Sequence, residues 1–347
     1  MTTNHDGNDF PGLFADHRHT PGPGHRDGLR YKLKSKIKKL QEAALKIHIY
    51  TDIDTLFGRA SRLWMDVLVE AGHDVEFIDL GTSTDAPLPD VGHCDVNLLI
   101  AGIYALPRFA AQGLPRNGKH VLWMFDPLTK NALATVHRYK TDIFDAIAPG
   151  LHAVLAMDSS IARYLAQHFP ALATYQLPYM VAGKHVRTPL PEAQRNRDII
   201  MLGGDTPRRR DAERYFAGTA PALKAEFVWS GLWGAARDAC RAGARINLNI
   251  HADPEHTYFD QFRTFESWAA GTAVVSDIFE GGEDFGIEPG VHLVTADLKD
   301  LPLVCADLLA DVPRRQAMVQ ASQQLLRERF SPAAWQSRML AMLESVA

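Results

Sequence analysis

The sequence predicts an α/β protein with two mainly parallel sheets covered by helices, and further helices at the carboxyl end. Three observations carry this. From Lys46 onward short apolar runs alternate with amphipathic stretches, a βα rhythm that needs crossover helices and therefore gives parallel strands. The rhythm breaks at a polar, proline-bearing stretch, GKHVRTPLPEAQRNR at 183–197, and then resumes, so the halves look like two copies of one architecture. The 347 residues also exceed one ordinary core and suit two domains of roughly 150 residues each.

The first half is expected to run as follows. Residues 1–28, with PGPG at 21–24 and little to bury, form a disordered tail. RYKLKSKIKK, from Arg30 to Lys39, reads as a solvated basic helix leading into the first strand. Its alternative reading is a peripheral contact with an anionic membrane surface or a phosphorylated acceptor. Strands are expected at Lys46–Tyr50, Asp74–Asp79, Val96–Ala101, His120–Phe125, within Ala146–Ala156, and at Thr174–Leu177; helices at Ser61–Ala71 and Ser159–Phe169. Ligands of open α/β sheets gather at the carboxyl ends of strands, which places Asp52, Asp54, Gly102 and Asp126 on one rim. This half is assigned residues 29–182, with 183–197 as linker.

The second half, 198–330, is expected to place strands at Asp198–Leu202, Glu226–Trp229, Arg245–Ile250, Ala273–Ser276 and near His292–Val294. In RINLNIH, Ile246, Leu248 and Ile250 share one face and Asn247, Asn249 and His251 the other. Two amphipathic helices, Pro313–Phe330 and Pro332–Val346, end the chain. The last segment, 331–347, carries the stripe Trp335, Met339, Met342 and Leu343, and is assigned to pack back on the first half.

Composition excludes several classes. With 46% hydrophobic and 22% charged residues the chain can fill two cores, yet no apolar run approaches the roughly 20 residues of a membrane span. Met1–Gly28 lacks an apolar signal-peptide core, so a cytoplasmic location is expected, with the inner membrane surface as its alternative through Arg30–Lys39. Cys94, Cys240 and Cys305 are isolated and odd in number, which suits buried thiols in a reducing compartment. A net charge of −4 argues against a dedicated nucleic-acid binder. Fifteen histidines fall into no HExxH-like spacing, so no metal site is expected.

The most informative stretch is QFRTFESWAAGTAVVSD at 261–277. Phe262, Phe265 and Ala269 recur at helical spacing, Gly271 suits a left-handed stop, and Ala273–Val275 turns to a strand pattern. Glu266 lies on this short helix, whose first turn offers unpaired N–H groups and a positive dipole end where a phosphate can be held. An acid beside a phosphate site commonly binds ribose hydroxyls, which points to a nucleotide-sugar or a dinucleotide.

Further motifs share this region: DIIMLGG…PRR at 198–209, SGLW at 230–233, INLNIH at 246–251 and EPGVHLV at 288–294, with WMFDP at 123–127 and QLPYMV at 176–181 in the first half. In these the chain resembles the GT-B glycosyltransferases, in particular the CgeB-type (spore maturation protein) branch near the group 1 glycosyltransferases. The resemblance implies two Rossmann-like domains facing a cleft, with a nucleotide-sugar donor in the second domain and the acceptor in the first. It implies metal-independent transfer, without a cofactor, to a hydroxyl of a glycan, lipid-linked or protein acceptor. Residue by residue it assigns ribose binding to Glu266, with Thr264 in the same nucleotide group. The diphosphate falls to Arg208, Arg209 and Arg263, and the base to the Gly231–Trp233 turn. Asn249 and His251 are candidates for the donor-sugar side of the cleft, beside their plainer reading as a structural amide and a half-buried histidine.

Many retaining relatives carry a second glutamate eight positions before the ribose-binding one; here Tyr258 stands there, so that role is not carried over. An inverting reaction would need a base from the first domain, and Asp126 is the first candidate, ahead of Asp52, Asp54 and His137. Two other classes stay in view. An NAD-dependent dehydrogenase would want GxGxxG after the first strand, whereas Thr51–Arg59 holds only Gly58. The other is a non-catalytic GT-B-like nucleotide-binding module of a glycan assembly complex.

Overall fold

A computed structural model describes residues 44–52, 54–100, 104–125, 141–229, 232–254 and 258–347. The expectations for the 1–28 tail and for Arg30–Lys39 lie outside these residues, as do those for Gly102, Asp126, His137 and Gly231. Leu45–Ala347 is one compact unit.

The first sheet holds six parallel strands in the order β2-β1-β3-β4-β5-β6: β1 Lys46–Thr51, β2 Asp74–Asp79, β3 Val96–Ile100, β4 Lys119–Met124, β5 Ala153–Ala156 and β6 Ala173–Gln176. Between them lie α1 Asp54–Glu70, α2 Ala105–Gln112, α3 Thr141–Ile147 and α4 Ser159–His168. The second sheet holds five parallel strands in the order β11-β10-β9-β7-β8: β7 Arg197–Leu202, β8 Ala225–Val228, β9 Ala244–Asn249, β10 Ala273–Asp277 and β11 Val294–Ala296. Its helices are α5 Pro207–Thr219, α6 Gly234–Ala242, α7 Gln261–Ala269, α8 Leu301–Ala310 and α9 Val312–Arg329, and α10 Pro332–Val346 follows. The expected α/β class with two parallel sheets and terminal helices is what the chain adopts.

Strands buried on both faces read as continuous apolar runs, and every residue of β3 is buried. In β9 the expected alternation is real but both faces are covered. Ile246 and Leu248 enter the second-sheet core, while Asn247 and Asn249 are buried opposite, Asn249 donating to Ser276 Oγ at 3.2 Å. Helices α5 and α6, for which the sequence gives no bounds, carry too few apolar residues for a stripe: α5 buries only Arg209, Ala212 and Phe216.

Helix α7 joins the two sheets' layers. The Gln261 amide accepts from Tyr179 N and donates to Met157 O, both at 2.8 Å, so one buried side chain ties the helix start to the first sheet's strand ends. Phe262 lies against Phe125 and Tyr179, with ring centroids 5.2 and 4.3 Å away, and Phe265 packs on Phe330 at 4.5 Å. Met339, Met342 and Leu343 of α10 join the same core, and Tyr175 and Ser345 share a hydroxyl hydrogen bond at 2.9 Å.

The stop after α7 is sterically tight. Gly271 has φ +77°, and a Cβ there would come 2.7 Å from Pro189 Cα. Its carbonyl accepts from Arg195 Nη2 at 2.6 Å, and Arg195 also donates to the Leu190, Ala242 and Ala244 carbonyls, which fixes the 183–197 stretch against the second sheet. Gly271→Ala combines a left-handed alanine with a clash against backbone. It should cost about 2–4 kcal/mol, read as a lowered midpoint in urea at unchanged m.

Candidate functional site

The carboxyl edge of the second sheet brings together the starts of α5, α6 and α7. Asp277, the last residue of β10, is fully buried and organises one end. It accepts from Arg208 Nε and Nη2 at 3.1 and 2.7 Å and meets His251 Nδ1 at 2.6 Å, while His251 Nε2 lies 2.7 Å from Tyr258 O. Burial works against the Asp277 carboxylate, but His251 and Arg208 hold its pKa below the usual range. Asn249 and His251 are thus buried in the sheet edge, at 2% and 4% exposure, and Arg208 is matched by a carboxylate.

In the middle of the site two guanidiniums converge on one carbonyl. Arg209 Nε donates to Ile250 O at 2.8 Å and Arg263 Nη1 donates to the same oxygen at 3.2 Å. Arg209 also donates to Gly204 O at 2.9 Å, packing against Gly203, but its charge meets no carboxylate in a salt bridge among the described residues. Burial and the nearby Arg263 charge push its pKa down to about 9, which leaves it cationic near neutrality. Arg263 pairs with Asp260, which caps α7 by accepting from Arg263 N at 2.9 Å and from Arg263 Nε at 2.8 Å. Burial would raise the Asp260 pKa, yet Arg263 holds it down at about 2. The start of α7 therefore already has a carboxylate at its dipole. Thr264, beside it, is fully buried and its hydroxyl has no hydrogen-bond partner among the described residues.

Glu266 lies deeper, where the second sheet's helices meet the first sheet. Its carboxylate accepts from Arg59 Nη1 of α1 and, at 2.5 Å, from the Tyr179 hydroxyl; Arg241 Nη1 stands 3.5 Å away. Arg59 also donates to Asp238, which Arg187 approaches at 3.5 Å and Arg241 at 4.0 Å. Burial and the Glu266 charge push the Tyr179 pKa well up, so its hydroxyl stays protonated and donating. Trp233 is 45% exposed, and Arg237 lies over its ring with 5.6 Å from Cζ to centroid.

Sequence reasoning placed Glu266, Arg208, Arg209, Arg263 and Trp233 along this edge, but named neither Asp238, Arg237 and Arg241 on α6 nor Arg59, Tyr179 and Arg187. On α6, RDACR shows charges at helical spacing, which signals a helix face without a partner. Arg59 lies 207 positions from Glu266, and nothing local foretells that pairing. Of the alternative bases, Asp52 is 1% exposed and its Oδ2 accepts from Tyr104 N and Ala105 N at 2.7 and 2.8 Å, at the start of α2. Among the described residues no group of three or more His, Cys, Asp or Glu side chains could hold a metal ion.

Among the described residues the guanidiniums here outnumber the acids. Arg59, Arg187, Arg208, Arg209, Arg237, Arg241 and Arg263 lie near the four carboxylates Asp238, Asp260, Glu266 and Asp277. Close like charges are costly, so the excess marks a place for an anion.

Residues 228–343 match the family described as Glycosyl transferase-like. A search of curated proteins gives no significant match. Among solved structures, sucrose-phosphate synthase from Thermosynechococcus elongatus is 13% identical, with a TM-score of 0.61 over 87% of this chain and 98% of that one. HepE from Anabaena, solved with UDP and glucose, is 12% identical, with a TM-score of 0.62 over 87% and 100%. A UDP-forming α,α-trehalose-phosphate synthase from Burkholderia xenovorans is 11% identical, with a TM-score of 0.57 over 88% and 99%. At these identities the likeness shows the fold.

Proposed function

We propose that this chain, which has the GT-B fold and a glycosyl transferase-like segment at 228–343, moves a sugar from a nucleotide-sugar donor to an acceptor hydroxyl. The observation that supports this is the charge imbalance at the sheet edge, where Arg209 and Arg263 both donate to Ile250 O and, among the described residues, guanidiniums exceed carboxylates. A diphosphate answers that excess. The charge that grows on a departing nucleoside diphosphate is the main electrostatic demand of glycosyl transfer, and fixed guanidiniums stabilise it without a metal. Glu266 then accepts from the ribose hydroxyls, sharing its carboxylate with Tyr179 and Arg59.

The finer parts of the reading are the CgeB-type branch, a glycan, lipid-linked or protein acceptor, and metal independence. They also include a cytoplasmic location with contact to the inner membrane face through Arg30–Lys39, and Asp126 as acceptor base. Among the described residues no helix is long and apolar enough to cross a membrane.

The test is thermal stabilisation by UDP, GDP and CMP, followed by transfer assays with the corresponding sugars in EDTA. One nucleotide at about 100 times its Kd should add about 2.7 kcal/mol of stability, and the matching donor should be consumed. Stabilisation by none of the three would sink the reading. Binding without turnover would leave a nucleotide-binding module.

A further inference from the structure

Three side chains close in on Glu266. Its Oε1 accepts from the Tyr179 hydroxyl at 2.5 Å, and its Oε2 accepts from Arg59 Nη1 and lies 3.5 Å from Arg241 Nη1. A carboxylate has about four acceptor positions on its two oxygens, so a ribose is limited by access rather than by lone pairs. The Glu266 side chain is only 11% exposed. Two neighbouring ribose hydroxyls need an open edge of the carboxylate, and one of the three groups around it must withdraw to provide one.

The three differ in what holds them. Tyr179 is buried, its ring centroid lies 4.3 Å from that of Phe262 and its backbone N–H donates to Gln261, so it moves only if the core opens. Arg241 is buried on α6, and leaving Glu266 would strand its charge out of water. Arg59 is 30% exposed and comes from α1 of the first half. Among the described residues its side-chain hydrogen bonds go to Glu266 and Asp238 of the second half, and none goes to the half that carries it. Its withdrawal returns a guanidinium to water and leaves neither acid alone: Glu266 keeps Tyr179 and Arg241, and Asp238 keeps Arg187 at 3.5 Å. A partly exposed ion pair is weak enough to be exchanged, whereas a buried one is not.

We propose that Arg59 is a built-in competitor for the ribose site: in the unliganded chain its guanidinium covers the Glu266 carboxylate, and the ribose hydroxyls bind by taking its place. This rests on the reading of Glu266 given above and decides which of its partners gives way. Removing a residue that touches the site then strengthens binding, because the apparent Kd of the wild type is raised by the chains in which Arg59 still covers the carboxylate.

The experiment titrates wild type, Arg59→Gln and Arg59→Lys by calorimetry with UDP, GDP and CMP. Asp66→Asn serves as a control on the same helix, since it removes an exposed pair with Lys184 and does not touch Glu266. Thermal unfolding of each apo protein confirms that it is folded. Whichever nucleotide binds the wild type should bind Arg59→Gln about 5- to 30-fold more tightly, and Asp66→Asn with wild-type affinity. Arg59→Lys, which cannot bridge two carboxylates, should lie between, and its gain decides the matter where Arg59→Gln does not fold. Unchanged or weaker binding in the Arg59 variants overturns this inference while the nucleotide reading stands. An equal gain in Asp66→Asn also overturns it, since loosening α1 would then be the cause. If none of the nucleotides binds the wild type or any variant, both fall.

Discussion

Glu266→Ala is expected to lose nucleotide binding and much of the fold's stability together. The carboxylate would accept from both ribose hydroxyls, and charge-assisted hydrogen bonds of that kind make its removal worth about 100- to 1,000-fold in affinity. Tyr179, Arg59 and Arg241 all face it in the unliganded chain, and Arg241 is 3% exposed. Breaking a buried pair by deleting one partner typically costs about 3–5 kcal/mol, so chemical denaturation should show a loss of that order. Calorimetry is therefore run well below the variant's melting temperature. A stable Glu266→Ala protein that still binds the nucleotide at wild-type strength would remove Glu266 from the site.

Asp277→Asn should destabilise the second sheet by a similar amount, about 3–5 kcal/mol, without changing side-chain size. The amide cannot balance Arg208, which donates twice to one carboxylate oxygen, and it meets His251 from the other side without a charge. The pH dependence has a definite sign. Since His251 and Arg208 hold the folded-state pKa of Asp277 below its unfolded value, about 3.9, the unfolded chain takes up the proton first as pH falls. The stabilisation is full above about pH 5 and is lost as pH drops through the folded-state pKa. Asp260, held at about 2 by Arg263 against its burial, adds a loss of the same sign between about pH 4 and pH 2. Urea midpoints measured from pH 7 to pH 3 should fall for wild type and fall less steeply for Asp277→Asn. Parallel slopes would mean that Asp277 is not ionised in the fold.

The acid chemistry and the proposed anion site share one cause. Carboxylates at the carboxyl edge of the second sheet sit among more guanidiniums than they can match, so Asp260 and Asp277 are held ionised while Arg209 meets no carboxylate in a salt bridge among the described residues. An incoming diphosphate would relieve that repulsion, which is a source of binding energy present before any contact with the base or sugar.

The sequence by itself determined what depends on near neighbours. Apolar runs such as VNLLI in β3 fixed a strand because a parallel strand must be buried on both faces. Gly271 marked the end of α7 because a left-handed residue tolerates no side chain cheaply, and the structure gives it φ +77°. Local pattern also put Glu266 and Arg263 on one helix and Arg208 and Arg209 after one glycine pair. The polar helices α5 and α6 escaped it, because a helix whose buried face includes Arg209, or Asp238 and Arg241, shows no apolar stripe. Tertiary structure alone decided which charges meet. Arg59 and Glu266 are 207 residues apart, Arg208 and Asp277 69, and Tyr179 and Glu266 87. Coulomb energy depends on distance in space and on burial, neither of which a one-dimensional pattern carries. Hence the residue types of the site were legible in the chain, while the division between guanidiniums matched by a carboxylate and Arg209, which meets none among the described residues, became visible only when α6, α7 and the first sheet were packed together.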